Sequence, residues 1–137
     1  MKDTIKNFLQ NHDFCVLSST NSLGQPESAF VGFSSNDQLE ITIGLGKESR
    51  KYKNIIKRPN VSIVIGGEDG KTVQYEGLAR ELQDNKENYL QNHFEKLPGA
   101  RKYITNEGQT WLVIEPIWVR YTDTTKSPQQ VEEARLK

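Results

Sequence analysis

The stretch LEITIGLGKESRKYKNIIKRPNVS, residues 39–62, decides the fold. Leu39, Ile41, Ile43 and Leu45 alternate with Glu40, Thr42 and Gly44, the period of two that predicts a strand with one buried face. Ser49 can then cap a helix, because its side-chain oxygen can accept from a backbone N–H that the first turn leaves unpaired. Tyr52, Ile55 and Ile56 form the expected inward face of that helix, and Pro59-Asn60 stops it. Val61 to Ile65 follows as another strand.

Upstream, Ile5, Phe8 and Leu9 have the i, i+3, i+4 spacing of a helical face, predicting a helix over the first dozen residues that ends near Asp13. Phe14–Ser19 and Glu27–Ser34 read as strands separated by the turn residues 21–26, and Ser35-Asn36-Asp37 turns the chain back into the strand at Leu39. Downstream, Glu68-Asp69-Gly70-Lys71 carries the Asp-Gly hairpin signal, leading into Thr72–Leu82 with Val73, Tyr75 and Gly77 on one face. Asp84 with Glu87 has the spacing of a capping box, and Leu90, Phe94 and Leu97 continue a helical stripe to Pro98-Gly99. Thr110–Thr122 is a long final strand in which Pro116 forces a bulge or an edge position, and the polar tail from Asp123 is expected to fray. Six strands joined mostly by short turns predict a mainly β fold with peripheral helices: a small antiparallel barrel over residues 1–123, with 124–137 as a polar tail.

The chain of 137 residues is of single-domain length. Counted with glycine and without tyrosine, its apolar fraction is about 38%, below the usual ~45–50%, which predicts a polar-surfaced monomer or a protomer that completes its burial on a partner or cofactor. Eighteen Lys and Arg balance eighteen Asp and Glu, so no global field attracts nucleic acid or an anionic membrane. No apolar run has the length of a membrane span and the first ten residues lack a signal-peptide core, so a cytoplasmic protein is expected. Cys15, the single cysteine, is expected to be a small buried hydrophobe, and no metal site is expected. His12 and His93 are expected at the surface or its boundary. Gly44-Leu45-Gly46-Lys47 fails as a Walker A loop, because Ile41 stands at its first glycine position and Glu48 follows the lysine; a Rossmann fingerprint is absent too.

The chemistry concentrates in residues 47–58, where six basic residues and one acid leave the rest of the chain negative. Lys53 and Lys57 can simply face water, but Ser49, Arg50 and Lys51 stand at a helix start, where unpaired N–H groups and the positive dipole end favour an anion. A hydroxyl, a guanidinium fork and an ammonium there predict a phosphate seat.

The order of elements, with Gly24-Gln25-Pro26 before a strand, Ser49-Arg50-Lys51 opening a helix and Pro59-x-Val61-Ser62 entering the next strand, resembles the pyridoxamine 5'-phosphate oxidase-like, FMN-binding split-barrel superfamily from about Phe8 to Tyr121. The resemblance implies a six-stranded split barrel forming a homodimer, with FMN at the interface and a small-molecule substrate or reductant. It places Arg50 and Lys51 on the flavin phosphate with Ser49 beside them. Ala29, Phe30 and Val31 run along the ring system, Gly44 and Leu45 line the cofactor, Thr72 stands at a ring contact, and Trp118 forms a wall supplied by the partner subunit. Two charges of the vitamin B6 oxidases are replaced here, an arginine by Ala29 and a lysine by Ser34, and the C-terminal Arg-x-His and Trp elements are missing, so that oxidation is not the expected activity. The chain is then similar to small general-stress-type flavoproteins. An FMN-dependent oxidoreductase is the first expectation; a non-catalytic flavin protein for storage, sensing or electron relay, or a deazaflavin- or haem-binding relative, is the alternative.

Overall fold

The computed structural model describes residues 2–83 and 86–137. The chain runs through α1 (Lys2–Gln10), β1 (Phe14–Thr20), β2 (Pro26–Gly32), β3 (Ser34–Ser35), β4 (Ile41–Gly46), α2 (Arg50–Lys57), β5 (Asn60–Gly66), β6 (Lys71–Glu81), α3 (Lys86–Lys96), a 3-10 turn (Pro98–Tyr103), β7 (Gln109–Asp123) and β8 (Gln130–Arg135). One antiparallel sheet has the order β2-β1-β5-β6-β7-β4-β3, with β8 added on β7. Strands β2 and β3 lie at opposite ends of that order, yet only Phe33 separates them in sequence. The sheet must therefore curl until its two ends meet at Phe33, whose side chain is fully buried. The result is a mainly β, curled antiparallel sheet that fits a split barrel.

Alternation fixes which face goes inward. Val73, Tyr75, Gly77 and Ala79 of β6 are buried between exposed neighbours, and Val61, Ile63 and Ile65 repeat the pattern on β5. Gly77 is required by space: an added Cβ would lie 2.5 Å from Ile114 Cγ2 and 2.8 Å from the Glu115 carbonyl oxygen. There the register of β6 on β7 shifts, pairing Glu76 with Trp118 but Gly77 with Pro116. Ile117 is the extra residue of this bulge, and its freed carbonyl accepts from Leu136 N at 2.7 Å. Residues 110–114 of β7 are buried without alternation: Leu112 and Ile114 enter the main core, while Trp111 and Val113 face a second cluster with Leu82, Leu90 and Phe94. Helix α1 closes the main core with Ile5, Phe8 and Leu9.

Several expectations are corrected. The described strands number eight rather than six, because Ser34–Ser35 forms a separate short strand beyond the corner at Phe33 and the tail expected to fray forms β8. Ladder pairing to Trp118–Asp123, more than burial, holds β8, whose side chains are half-buried or exposed; only Ala134 packs against the core. Leu39 belongs to the turn, at φ 63°, where the Asn36 side chain accepts from Gln38 N and Glu40 N. Ile56 is exposed, and the buried positions of α2 are Asn54 and Ile55. His93 is 2% exposed rather than at the boundary. The capping residue Asp84 lies outside the described residues. Cys15 is buried as expected, and burial pushes its thiol up to about 12. Among the described residues, no helix is long and apolar enough to cross a membrane, and no cluster of His, Cys, Asp or Glu could hold a metal ion.

Candidate functional site

Helix α2 begins beside the edge strand β2. Ser49 Oγ accepts from Tyr52 N at 3.3 Å and donates to the Gly46 carbonyl at 2.7 Å, so this hydroxyl caps the helix and ties it to the end of β4. Arg50 and Lys51, the first two residues of the helix, then line a pocket of about 160 Å³ with Ser19, Glu27, Ser28 and Ala29. Arg50 is 78% exposed, and its Nε stands 3.4 Å from Glu27 Oε1. Glu27 also accepts from Asn54 Nδ2 at 2.8 Å and Asn21 Nδ2 at 3.2 Å. These hydrogen bonds, led by Asn54, hold its carboxyl below the ordinary value, and Arg50 adds to the effect. The remaining basic residues have other duties: Arg58 Nε donates to the Thr20 carbonyl at 2.8 Å, Lys53 pairs with Glu48 at 3.8 Å, and Lys57 faces water.

Strand β2 is hydrogen-bonded in the sheet only to β1. An antiparallel edge strand turns alternate backbone N–H and C=O groups away from its partner. Ala29, Phe30 and Val31 lie on this strand; Phe30 is 72% exposed and stacks on Phe14 with centroids 5.2 Å apart, while Val31 packs against the core.

Beyond the end of β2 lies a larger cavity, about 750 Å³, bounded by Gly32, Gly44, Leu45, Trp111 and the wall formed by the end of α3 and the 3-10 turn. Gly44 keeps part of it open, since a Cβ there would meet Gln109 Nε2 and Trp111 Nε1 at 3.0 Å each. His93, Lys96, Lys102 and Tyr103 bring polar groups to the far wall. His93 Nδ1 is 2.8 Å from Ser34 Oγ, and burial lowers the ring to about 4, so it is neutral at physiological pH. Lys96 Nζ donates to the Leu9 carbonyl at 3.0 Å and lies 4.0 Å from the Phe33 ring centre; burial lowers it to about 8.

A third cavity, about 350 Å³, lies on the other side of Phe14, lined by His12, Phe30, Gly66, Gly67 and the acids Asp13, Glu68 and Asp69. His12 Nδ1 is 2.7 Å from the Phe8 carbonyl oxygen, which can only accept, so Nδ1 is the donor of this bond and Nε2 is the nitrogen it leaves free.

Of the residues expected at a flavin, Arg50, Lys51 and Ala29 share one pocket, Gly44 and Leu45 line a second, and Phe30 lines a third. Thr72, which pairs with Gly66 and Thr122, and Trp118, whose Nε1 donates to Glu133 at 2.6 Å, line none of these within one chain. Sequence reading missed Glu27, Asn54, His93 and Lys96 as site-lining or site-supporting residues. Glu27 and Asn54 meet Arg50 only through the pairing of distant segments, and no local spacing marks them. For His93, its place one residue before the apolar Phe94, on the stripe facing the sheet, was the available signal.

A curled antiparallel sheet carries a basic helix start beside its open edge strand and cavities along that edge, an arrangement that fits a split barrel. The chain belongs to the pyridoxamine 5'-phosphate oxidase family, whose family model matches residues 1–123. Among solved structures, it is similar to the General Stress Protein 26 from Bacillus anthracis str. Sterne, with 25% identity, 98% of each chain covered and a TM-score of 0.78. It shares its fold with a haem-binding protein from Mycobacterium smegmatis, at 15% identity and a TM-score of 0.85, covering 98% of this chain and 57% of that one, so it spans little more than half of that protein. The haem storage protein HutZ of Vibrio cholerae has the same fold at 17% identity and a TM-score of 0.66, with 83% and 88% covered. No curated protein matches the sequence.

Proposed function

We propose that this chain is a flavoprotein that holds FMN and passes hydride or electrons through it to a small-molecule partner. The observation that carries the reading is the pocket of Arg50, Lys51 and Ala29 beside an edge strand with free backbone groups. The donor set fits the cofactor: two cations at a helix start suit a phosphate, and an unpaired strand edge suits the carbonyl and imide groups of a flavin ring. Arg50 and Lys51 would hold the phosphate, the backbone of Ala29–Val31 would meet the ring, and the Gly44 opening, with the Trp111 and Gln109 N–H groups beside it, leaves room for the ring or a substrate. Bound FMN would supply hydride and one-electron chemistry, which needs no acid or base from the protein.

The same reading makes the protein a homodimer with flavin sites shared between chains. Trp111 and Tyr121, large side chains of β7, are buried within one chain and leave nothing for a partner to cover. The support comes instead from surface apolar groups, the exposed Phe30, Val64 and Leu78 and the half-buried Ile117 and Trp118.

A titration of apoprotein with FMN and with riboflavin tests the seat. FMN should bind more tightly by tenfold or more, since each charge-assisted contact contributes about 1.5–3 kcal/mol before screening. Arg50→Ala combined with Lys51→Ala should weaken FMN far more than riboflavin. Equal affinities for the two flavins would reject the reading.

Haem is the second reading, favoured by His12. Its Nδ1 donates to the Phe8 carbonyl, which leaves Nε2 as the nitrogen that could ligate, and its cavity carries the Phe14–Phe30 pair. It ranks second because Asp13, Glu68 and Asp69 around that cavity would repel the haem propionates. The absorbance spectrum of the purified protein separates the two: a Soret band lost in His12→Ala supports haem, and flavin bands support FMN.

A further inference from the structure

We infer that Glu27 orients Arg50 and sets the charge of the anion pocket, limiting how strongly that pocket holds a doubly charged phosphate. The inference rests on the flavin-phosphate reading of the pocket. Glu27 comes from β2, and its carboxylate is fixed from two other segments: Asn54 Nδ2 of α2 at 2.8 Å and Asn21 Nδ2 of the β1–β2 turn at 3.2 Å. Asn54 is itself buried and reaches Ser19 Oγ at 3.4 Å, so the carboxylate has little freedom to swing out of the pocket.

Two consequences follow. Arg50 is taken by its Nε, at 3.4 Å from Oε1, and its two terminal nitrogens make no hydrogen bond to the described residues. The forked edge that grips a phosphate is therefore left without a protein partner among the described residues. The pocket also carries one net positive charge, from Arg50, Lys51 and Glu27, where the two cations alone would give two. A phosphate dianion bound by Arg50 would sit beside a carboxylate that the hydrogen bonds from Asn54 and Asn21 keep ionised. The pocket is thus built to accept and release its phosphate ligand.

Glu27→Gln removes the charge and keeps an oxygen for Asn54 and Arg50. Repulsion between a unit charge and a neighbouring dianion in a water-like dielectric is worth roughly tenfold in affinity, so FMN should bind about tenfold more tightly to this variant. Riboflavin should bind unchanged, and inorganic phosphate should compete better with FMN. Glu27→Ser, which removes the charge and keeps a hydroxyl, should shift FMN in the same direction by less, and serves if the glutamine variant does not fold. FMN binding that is unchanged or weaker in the charge-removing variants, while Arg50→Ala still costs FMN its advantage over riboflavin, would overturn the role of Glu27 alone. An FMN preference over riboflavin that persists undiminished in Arg50→Ala would overturn the pocket and this inference together.

Discussion

Acidification from pH 6.5 to pH 4 should destabilise this fold by about 3 kcal/mol through His93 alone. The ring is 2% exposed, with Nδ1 against Ser34 Oγ at 2.8 Å, the Phe94 ring at its edge and the Lys96 ammonium on the same helix. Burial first, and Lys96 second, lower it to about 4 from the ordinary 6.5. Above pH 6.5 the ring is neutral in both the folded and unfolded chains and contributes no pH dependence. Below 6.5 the unfolded chain takes up a proton that the folded chain refuses, so stability falls by about 1.4 kcal/mol per pH unit until the folded ring also titrates near 4. Lys96, lowered to about 8, is charged in both states across this window and adds no slope of its own.

Urea unfolding followed by tryptophan fluorescence measures the effect. Small domains lose about 1–3 kcal/mol per molar urea, so the wild-type midpoint should fall by about 1 M or more over the window. His93→Gln keeps a hydrogen-bonding group near Ser34 and removes the titration. Its absolute stability will differ through packing, so the comparison is of slopes. Glu27 and Asp123, whose carboxyls are held low by hydrogen bonds, titrate alike in both chains and cancel in the difference. Wild type and variant losing stability in parallel between pH 6.5 and 4.5 would refute the reasoning.

Gly77→Ala should cost about 2–4 kcal/mol, because its Cβ would strike the Glu115 backbone at 2.8 Å as well as Ile114, and backbone cannot yield as a side chain can; thermal denaturation measures it. Removing residues 124–137 should leave a folded but less stable chain with red-shifted tryptophan emission, because Trp118 loses Glu133 and its ladder partner Arg135; unchanged emission would show that β8 does not shield it.

The elements legible in the sequence are those in which one face is wet and the other buried. Ile5, Phe8 and Leu9, the alternating Val73, Tyr75 and Gly77, and Ser49 before its helix each carry a local pattern with a local cause, and each stands where the pattern puts it. The pattern misleads where burial is set by a distant element. Ile56 has the spacing of a buried residue, yet the inward side of α2 faces the polar ends of β1 and β2, so Asn54 is buried there with partners in Ser19 and Glu27. Strand β8 shows the converse case: its sequence QVEEAR has no apolar face, and the ladder to β7 supplies what hydrophobic alternation does not.

The candidate site divides along the same line. The cations of the proposed phosphate pocket stand next to each other at a helix start, so the anion seat they suggest is readable from Ser49-Arg50-Lys51 without knowing where the helix packs. The charge they present to a ligand is not readable in that way, because it depends on Glu27, which the β1–β2 hairpin delivers to Arg50 from a separate strand. In the proposed pocket, local sequence therefore supplies the two cations, and tertiary pairing supplies the carboxylate that offsets them. A relative with the same three residues at its helix start and a neutral residue facing Arg50 from β2 should hold phosphate more firmly in the same fold, because its pocket would keep both positive charges.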